Sequence, residues 1–342
     1  MPYSNEELLE QLDAAFKAIT IADMGESVLV PEQFDRFIRA TELQTKILPE
    51  ARFIEMDKNV VHLDRIGLTT RILRAGGEVS NGIQGHYVLV DDDVKKPTVG
   101  TVQLTAREAT TWTGIYDTTL RRNIERENFA NTLVDLLGGA AGRDIEEWGW
   151  FGDTRILYAT DNLLNLQDGW LRLAGNKIYG DTSGFNDPDD PDFPENMFEA
   201  MYTALPEQFH TAPNEYRFYV PWFVENAYRE LLKARGTALG DRAQIEAGPI
   251  PYKGIPVVSV PMAMRNPGKT YNQTNKMPGR CALLTHPDNT IWGVFHRITI
   301  EPDRVPKARK TDYVLTVEVA FGYEQPDAAV AAFIDRPAAD DA

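Results

Sequence analysis

Residues 60–107 constrain this chain more than any other part of it. The flanks VVHLDRIGLTTRIL and TVQLTARE hold strand formers, and Val102, Leu104 and Ala106 alternate with Thr101, Gln103 and Thr105. That is the two-residue period of a strand with one covered face. Between the flanks runs RAGGEVSNGIQGHYVLVDDDVKKPTVG, rich in glycine and charge. A pair of long strands with so little apolar material at its tip cannot build a core of its own. Ordering about fifty such residues is entropically costly, so the segment either projects into solvent or is completed by a neighbour.

The segments around it carry helical periods. Leu8, Leu9, Leu12, Phe16 and Ile19 fall on one stripe, with Ser4 as N-cap and Glu7 as its box partner, which predicts an amphipathic helix over 5–19. Its stripe is buried either on its own domain or on another subunit. A second segment, 31–48, opens at Pro31 and is ended by Pro49. Over residues 117–148, Leu120, Ile124, Phe129, Leu133, Leu137, Ala141, Ile145 and Trp148 follow at three- to five-residue steps. The resulting helix would rise roughly 48 Å, at about 1.5 Å per residue. Gly138, Gly139 and Gly142 mark a bend or a site of close packing within it.

Residues 155–300 read as a mixed α/β region. It holds a helix at 195–204, a strand at 215–220, and the helix PWFVENAYRELLKAR, begun by Pro221 and stopped by Gly236. GIPVVSV, CALLTH and TIWGVFHRITI supply strands, the last two predicted to form a hairpin around Pro287, Asp288 and Asn289. After the basic stretch Arg304, Lys307, Arg309 and Lys310, TDYVLTVEVAFGYEQP resumes as a long strand and DAAVAAF as a short one. The class is α+β.

Several functions are disfavoured by composition. A formal net charge of −16 repels nucleic acid at long range, so sequence-specific DNA binding is not expected. No apolar run is long enough to cross a membrane, and MPYSNEELLEQLDAAF lacks the basic flank of a signal peptide; the chain is expected to be made and kept in a cytoplasm. The single cysteine, Cys281, has no disulfide partner within the chain.

The sequence holds no phosphate-cradling glycine loop, no HExxH and no GxSxG. His286 and His296 flank the predicted hairpin, and Asp187, Asp189, Asp190 and Asp192 crowd one proline-stiffened loop. The histidines read as loop-edge residues and the acids as a solvated loop lacking the glycine and terminal glutamate of a calcium loop. Trp148, Trp150 and Phe151, like Tyr216, Phe218, Tyr219, Trp222 and Phe223, read as packing groups because no basic residues interleave them. No catalytic residue, metal ligand or cofactor is predicted.

The order of segments resembles the HK97-like major capsid proteins of tailed bacteriophages. The resemblance is carried by DTTLRRNIERENFANTLVDLLGGAAGRDIEEWGWFGD, by YRFYVPWFVENAYRELLKARG with YKGIPVVSVPMA, and by HRITIEPDRVPKARKTDYVLTVEVAFGYEQPDAAVAAF. It implies an N-terminal arm at 1–59, an extended β-hairpin loop at 60–107, and a peripheral domain with a long helix at 108–154. A central domain at 155–299, returning strands at 300–333 and a flexible tail at 334–342 would follow.

The resemblance implies self-assembly as hexamers and pentamers into an icosahedral shell enclosing double-stranded DNA. The partners implied are a separate scaffolding protein, a portal protein and, as further candidates, decoration proteins. Candidate inter-subunit contacts are Leu8, Leu12 and Phe16 of the arm, Lys95 and Lys96 of the loop, and Arg304, Lys307, Arg309 and Lys310. Some relatives join a loop lysine to a neighbour's asparagine, but no asparagine or catalytic glutamate can be matched here. An encapsulin-type shell, which shares the fold, and an acidic α/β enzyme are the alternatives.

Overall fold

Apolar alternation and unbroken apolar runs are both present in this chain, and they sort its strands into two main sheets. The computed structural model describes residues 45–67, 79–80, 83–84, 98–116, 129–155, 162–235, 248–260 and 281–334. The first strands are β1 (Arg52–Met56), β2 (Val60–Gly67), β3 (Val79–Ser80), β4 (Ile83–Gln84), β5 (Thr98–Thr105), β6 (Arg107–Tyr116) and β7 (Asn176–Tyr179). Then come β8 (Arg217–Val220), β9 (Pro251–Tyr252), β10 (Ile255–Ser259), β11 (Cys281–Thr285), β12 (Thr290–Val305), β13 (Lys310–Tyr323) and β14 (Val330–Phe333). Three longer helices accompany them: α1 (Phe129–Phe151), α2 (Phe193–Ala204) and α3 (Trp222–Ala234). The expected arm helix at 5–19 lies outside the described residues.

The six-stranded sheet has the order β7-β14-β11-β8-β10-β9. CALLT and VAAF show no alternation, and every residue of β11 and β14 is buried, the mark of strands covered on both faces. Phe218, Val220, Ala282, Leu284, Val330 and Ala332 point to one side, where they meet Met197, Phe198 and Met201 of α2 and Val224, Tyr228 and Leu232 of α3. Tyr219, Cys281, Leu283, Ala331 and Phe333 point to the other, into the largest core.

The four-stranded sheet, β1-β12-β13-β6, contributes its own inner face to that largest core. Alternate residues of β13, from Tyr313 to Tyr323, and Trp292 and Val294 of β12 pack there with Leu137, Ile145, Trp148 and Phe151 of α1. Phe321 is the hub: Trp148 and Trp170 both meet its ring edge-on at 5.3 Å. At the end of α1, Gly152 and Gly169 bring two backbones together, with Gly169 N–H donating to Gly152 O at 2.8 Å. A Cβ on Gly152 would lie 2.4 Å from Gln167 O, and one on Gly169 would lie 2.5 Å from Gly149 O. The WGWFGD passage therefore needs glycine for a close backbone approach.

On the outer face of the same sheet lies the base of the extended loop, where β2 pairs with β5 antiparallel from Val60↔Thr105 to Gly67↔Thr98. Met56, Leu104, Ala106, Ile291 and Ala320 form a small separate core there. Gly322 makes room for it, since a Cβ would sit 2.4 Å from Leu104 Cδ2.

Several expectations are corrected. β11 and β12 are not a hairpin: β11 pairs with β8 and β14, whereas β12 pairs with β1 and β13. The short helical turn Pro287–Asn289 sends the chain from one sheet to the other, and Asn289 fixes that turn by donating to Gln325 O at 3.0 Å and accepting from Gln325 N at 2.7 Å. β12 begins at Thr290, where TIWGVFHRITI places a strand, and runs on to Val305, whereas β14, expected among the returning strands of the peripheral part, lies in the six-stranded sheet. α1 runs three residues past Trp148 and remains helical through Gly138, Gly139 and Gly142. Trp222, read as a packing residue, is 59% exposed.

Candidate functional site

The basic stretch 304–310 forms the tip of the long β12–β13 hairpin. The turn Pro306–Ala308 closes it, and Arg309 adopts a left-handed conformation with φ 51°. Arg304, Lys307 and Arg309 are exposed. Lys310 is not free: its Nζ lies 2.8 Å from Asp312 Oδ2 and 5.1 Å from the centroid of the Trp112 ring. Asp312 is buried, so the structure brings one predicted contact residue, Lys310, onto a fixed mount and leaves the other three at the surface. Leu8, Leu12, Phe16, Lys95 and Lys96 lie outside the described residues.

The arm expected at 1–59 is corrected at its end, because residues 45–56 fold into the subunit itself, with β1 in the four-stranded sheet. Ile47 and Leu48 are buried in the largest core. Glu146 of α1, itself buried, accepts from Ile47 N at 3.3 Å and from Lys46 N at 3.2 Å. Burial raises the Glu146 pKa, and the two backbone donors offset part of that rise. Four residues on, Tyr219 of β8 donates to Glu50 Oε2 at 2.6 Å. Burial first, then this carboxylate, pushes the Tyr219 pKa far above its ordinary value.

The anchoring groups were not identified from the sequence. Glu146 stands beside Ile145 and Trp148 of the apolar stripe, and a carboxylate in that place is the signal that could have revealed it.

The other sites weighed from sequence have local roles. His286 Nδ1 accepts from Asp288 N at 3.1 Å, while the His296 side chain lies outside the described residues. Asp187 accepts from Asp189 N and Asp190 from Asp192 N, both at 3.0 Å, so these carboxylates close turns of their own loop. Cys281 is sealed in the core, receives the Trp150 indole N–H at 3.1 Å, and has its thiol pushed up to about 12 by burial. A shallow groove on α2, lined by Ser183, Asn196, Glu199 and Thr203 among others, offers one carboxylate. Lys253 and Tyr252 already bond it and hold its pKa low.

No protein-family model matches the chain. A protein of Bacillus subtilis (strain 168) described as "Putative prophage capsid protein YqbE" is 30% identical over 319 residues, 93% of this chain and 96% of its own. The chain belongs to that family of prophage capsid proteins. The fold agrees: a chain of the satellite phage P4 procapsid including size determination (Sid) protein matches with a TM-score of 0.56 at 12% identity, covering 98% of both chains. The capsid of an empty GTA particle matches at 0.53 and 10% identity, over 84% of this chain and 89% of the other. The architecture is thus the HK97-like capsid fold, and the chain is a major capsid protein, a structural component of the virion rather than an enzyme. For a capsid protein the relevant surfaces are those that a single subunit leaves incomplete.

Proposed function

We propose that this capsid protein assembles with copies of itself, as hexamers and pentamers, into a closed icosahedral wall around double-stranded DNA. The observation that carries this reading is the β2–β5 ribbon. Among its described side chains Leu104 is the one fully buried, while Val61, Leu63 and Val102 are half-covered and His62, Asp64, Thr101 and Gln103 are exposed. Such a two-stranded ribbon is marginal in water and gains stability from a neighbouring surface. Heterologous contacts of that kind close into rings and shells when the rotation between copies closes.

Of the arm expected at 1–59, the part ahead of residue 45, through Leu8, Leu12 and Phe16, and the loop at 60–107, through Lys95 and Lys96, are the segments that would reach neighbours. Arg304, Lys307, Arg309 and Lys310 would add charged contacts from the hairpin tip. A separate scaffolding protein and a portal would direct closure in the host bacterial cytoplasm. The net charge of −16 would keep packaged DNA from adhering to the wall.

Purified protein, alone and co-expressed with a scaffold encoded beside it, is measured by light scattering and negative-stain microscopy. Particles of megadalton mass are expected. A soluble monomer under every condition overturns the reading, and particles filled with a protein cargo in place of nuclease-protected DNA would turn it toward a compartment shell.

A further inference from the structure

The outer face of the four-stranded sheet is covered by its own ribbon near Ala320 and Leu104, and among the described residues nothing covers it further toward the hairpin tip. There β6 is an edge among the described strands, paired with β13 on one side. Thr110 lies opposite Thr316, Trp112 opposite Val314 and Gly114 opposite Asp312. Thr110 and Thr111 are exposed, and Trp112 is 69% exposed. A large indole on an unpaired edge is a feature that soluble monomers avoid.

The indole is also held in place. Lys310 stands over its ring, and Lys310 is itself fixed by Asp312, which is 6% exposed and whose Oδ1 has no hydrogen-bond partner among the described residues. Gly114 admits that carboxylate, since a Cβ there would be 2.5 Å from Asp312 Oδ1. A side chain held this way loses little freedom when a partner covers it. Exposed Lys307 and Arg309 follow at the turn next to Lys310, so the aromatic ring adjoins a basic hairpin tip, while Arg304 turns to the opposite face, where it donates to Thr311 Oγ1.

The charge of the rim selects the occupant. Two copies at −16 each repel at long range, and this tip is a place where the repulsion reverses. Residues 178–216 contain nine acids, five Asp and four Glu, with no Lys or Arg. In that stretch Asp187, Asp189, Asp190 and Asp192 are exposed. We propose that Trp112 and the basic β12–β13 tip form one docking surface for the acidic face of a second copy of this chain. The proposal rests on the shell reading above and names a contact within it.

Hydroxyl-radical footprinting of the full-length protein, free and in particles, tests it. Oxidation of Trp112 is expected to fall at least fivefold on assembly. Trp112→Ala and, separately, Lys307→Glu are expected to raise the critical concentration for assembly at least tenfold while leaving the melting of the free subunit unchanged. Wild-type particles in which Trp112 stays as reactive as in the free subunit overturn this contact and leave the shell reading standing. Failure of the wild type to form particles at all overturns both. Protection of Trp112 in free subunits on adding duplex DNA would make DNA the occupant and also overturn the proposal. If Trp112→Ala fails to fold, wild-type footprinting still decides.

Discussion

In the six-stranded sheet β11 and β14 are buried at every residue, whereas in the four-stranded sheet β6 is mostly exposed and carries Trp112 into solvent. The first sheet has α2 and α3 on one face and the largest core on the other; the second has that same core on one face and a thin ribbon over part of the other. One subunit is therefore self-sufficient in one half and incomplete in the other. A protein that has to build a wall from copies of itself needs both: rigid parts that fold unaided and surfaces that remain available.

Substitutions separate these halves, and the largest effect is expected in the self-sufficient one. Phe198 is fully buried, with the rings of Phe218, Tyr228 and Tyr252 within 5.3 Å of its own. Phe198→Ala is expected to cost about 3–5 kcal/mol in denaturant unfolding of the free subunit. A loss below 1 kcal/mol would show that this sheet also depends on neighbours.

The anchor after the arm is expected to have an intermediate effect. Glu146→Ala removes the acceptor of two backbone N–H groups and should destabilise by about 1–3 kcal/mol. Glu146→Gln should behave differently with pH. Burial raises the folded-state pKa above the ordinary 4.5, so the folded protein binds this proton more tightly than the unfolded one. The associated stability is complete below that ordinary value and is lost as pH rises through the raised one. Melting of wild type and Glu146→Gln across this window should show the wild type losing stability relative to the variant; parallel curves would contradict the assignment.

The smallest effect is expected at Trp112. In the free subunit Trp112→Ala removes an exposed ring and its contact with Lys310, and should change stability by no more than about 1 kcal/mol. A larger loss in the same unfolding experiment would mean that the edge strand depends on its indole within the subunit.

Local periodicity made the self-sufficient half legible. The 3.6-residue stripe through Leu137, Ile145 and Trp148 is the inner face of α1, and the apolar runs CALLT and VAAF are the covered strands. Pairing was not legible, because alternation shows which face of a strand is covered and not which strand lies beside it. For that reason the turn at 287–289 reads as a hairpin in the sequence and is a crossing between sheets in the structure. β6 went unrecognised because TTWTG lacks the apolar alternation of a covered strand, and β1 because it is a short parallel edge. Arg304, Lys307, Arg309 and Lys310 were found as a charge cluster, yet the buried Asp312 beneath Lys310 required the β13–β6 register to be seen.

That register carries a consequence for timing on the ribosome. Arg52 of β1 lies opposite Ile291 of β12, and Arg107 of β6 opposite Val319 of β13. At about 5–20 residues per second, β1 waits roughly 12–48 s for its partner strand to be synthesised. Nascent chains arrested before residue 290 should stay protease-sensitive over 52–56, and released chains should be protected there. Subunits growing side by side on one message would thus lack the completed sheet through which they could engage prematurely, and become competent to join a wall only near the end of translation.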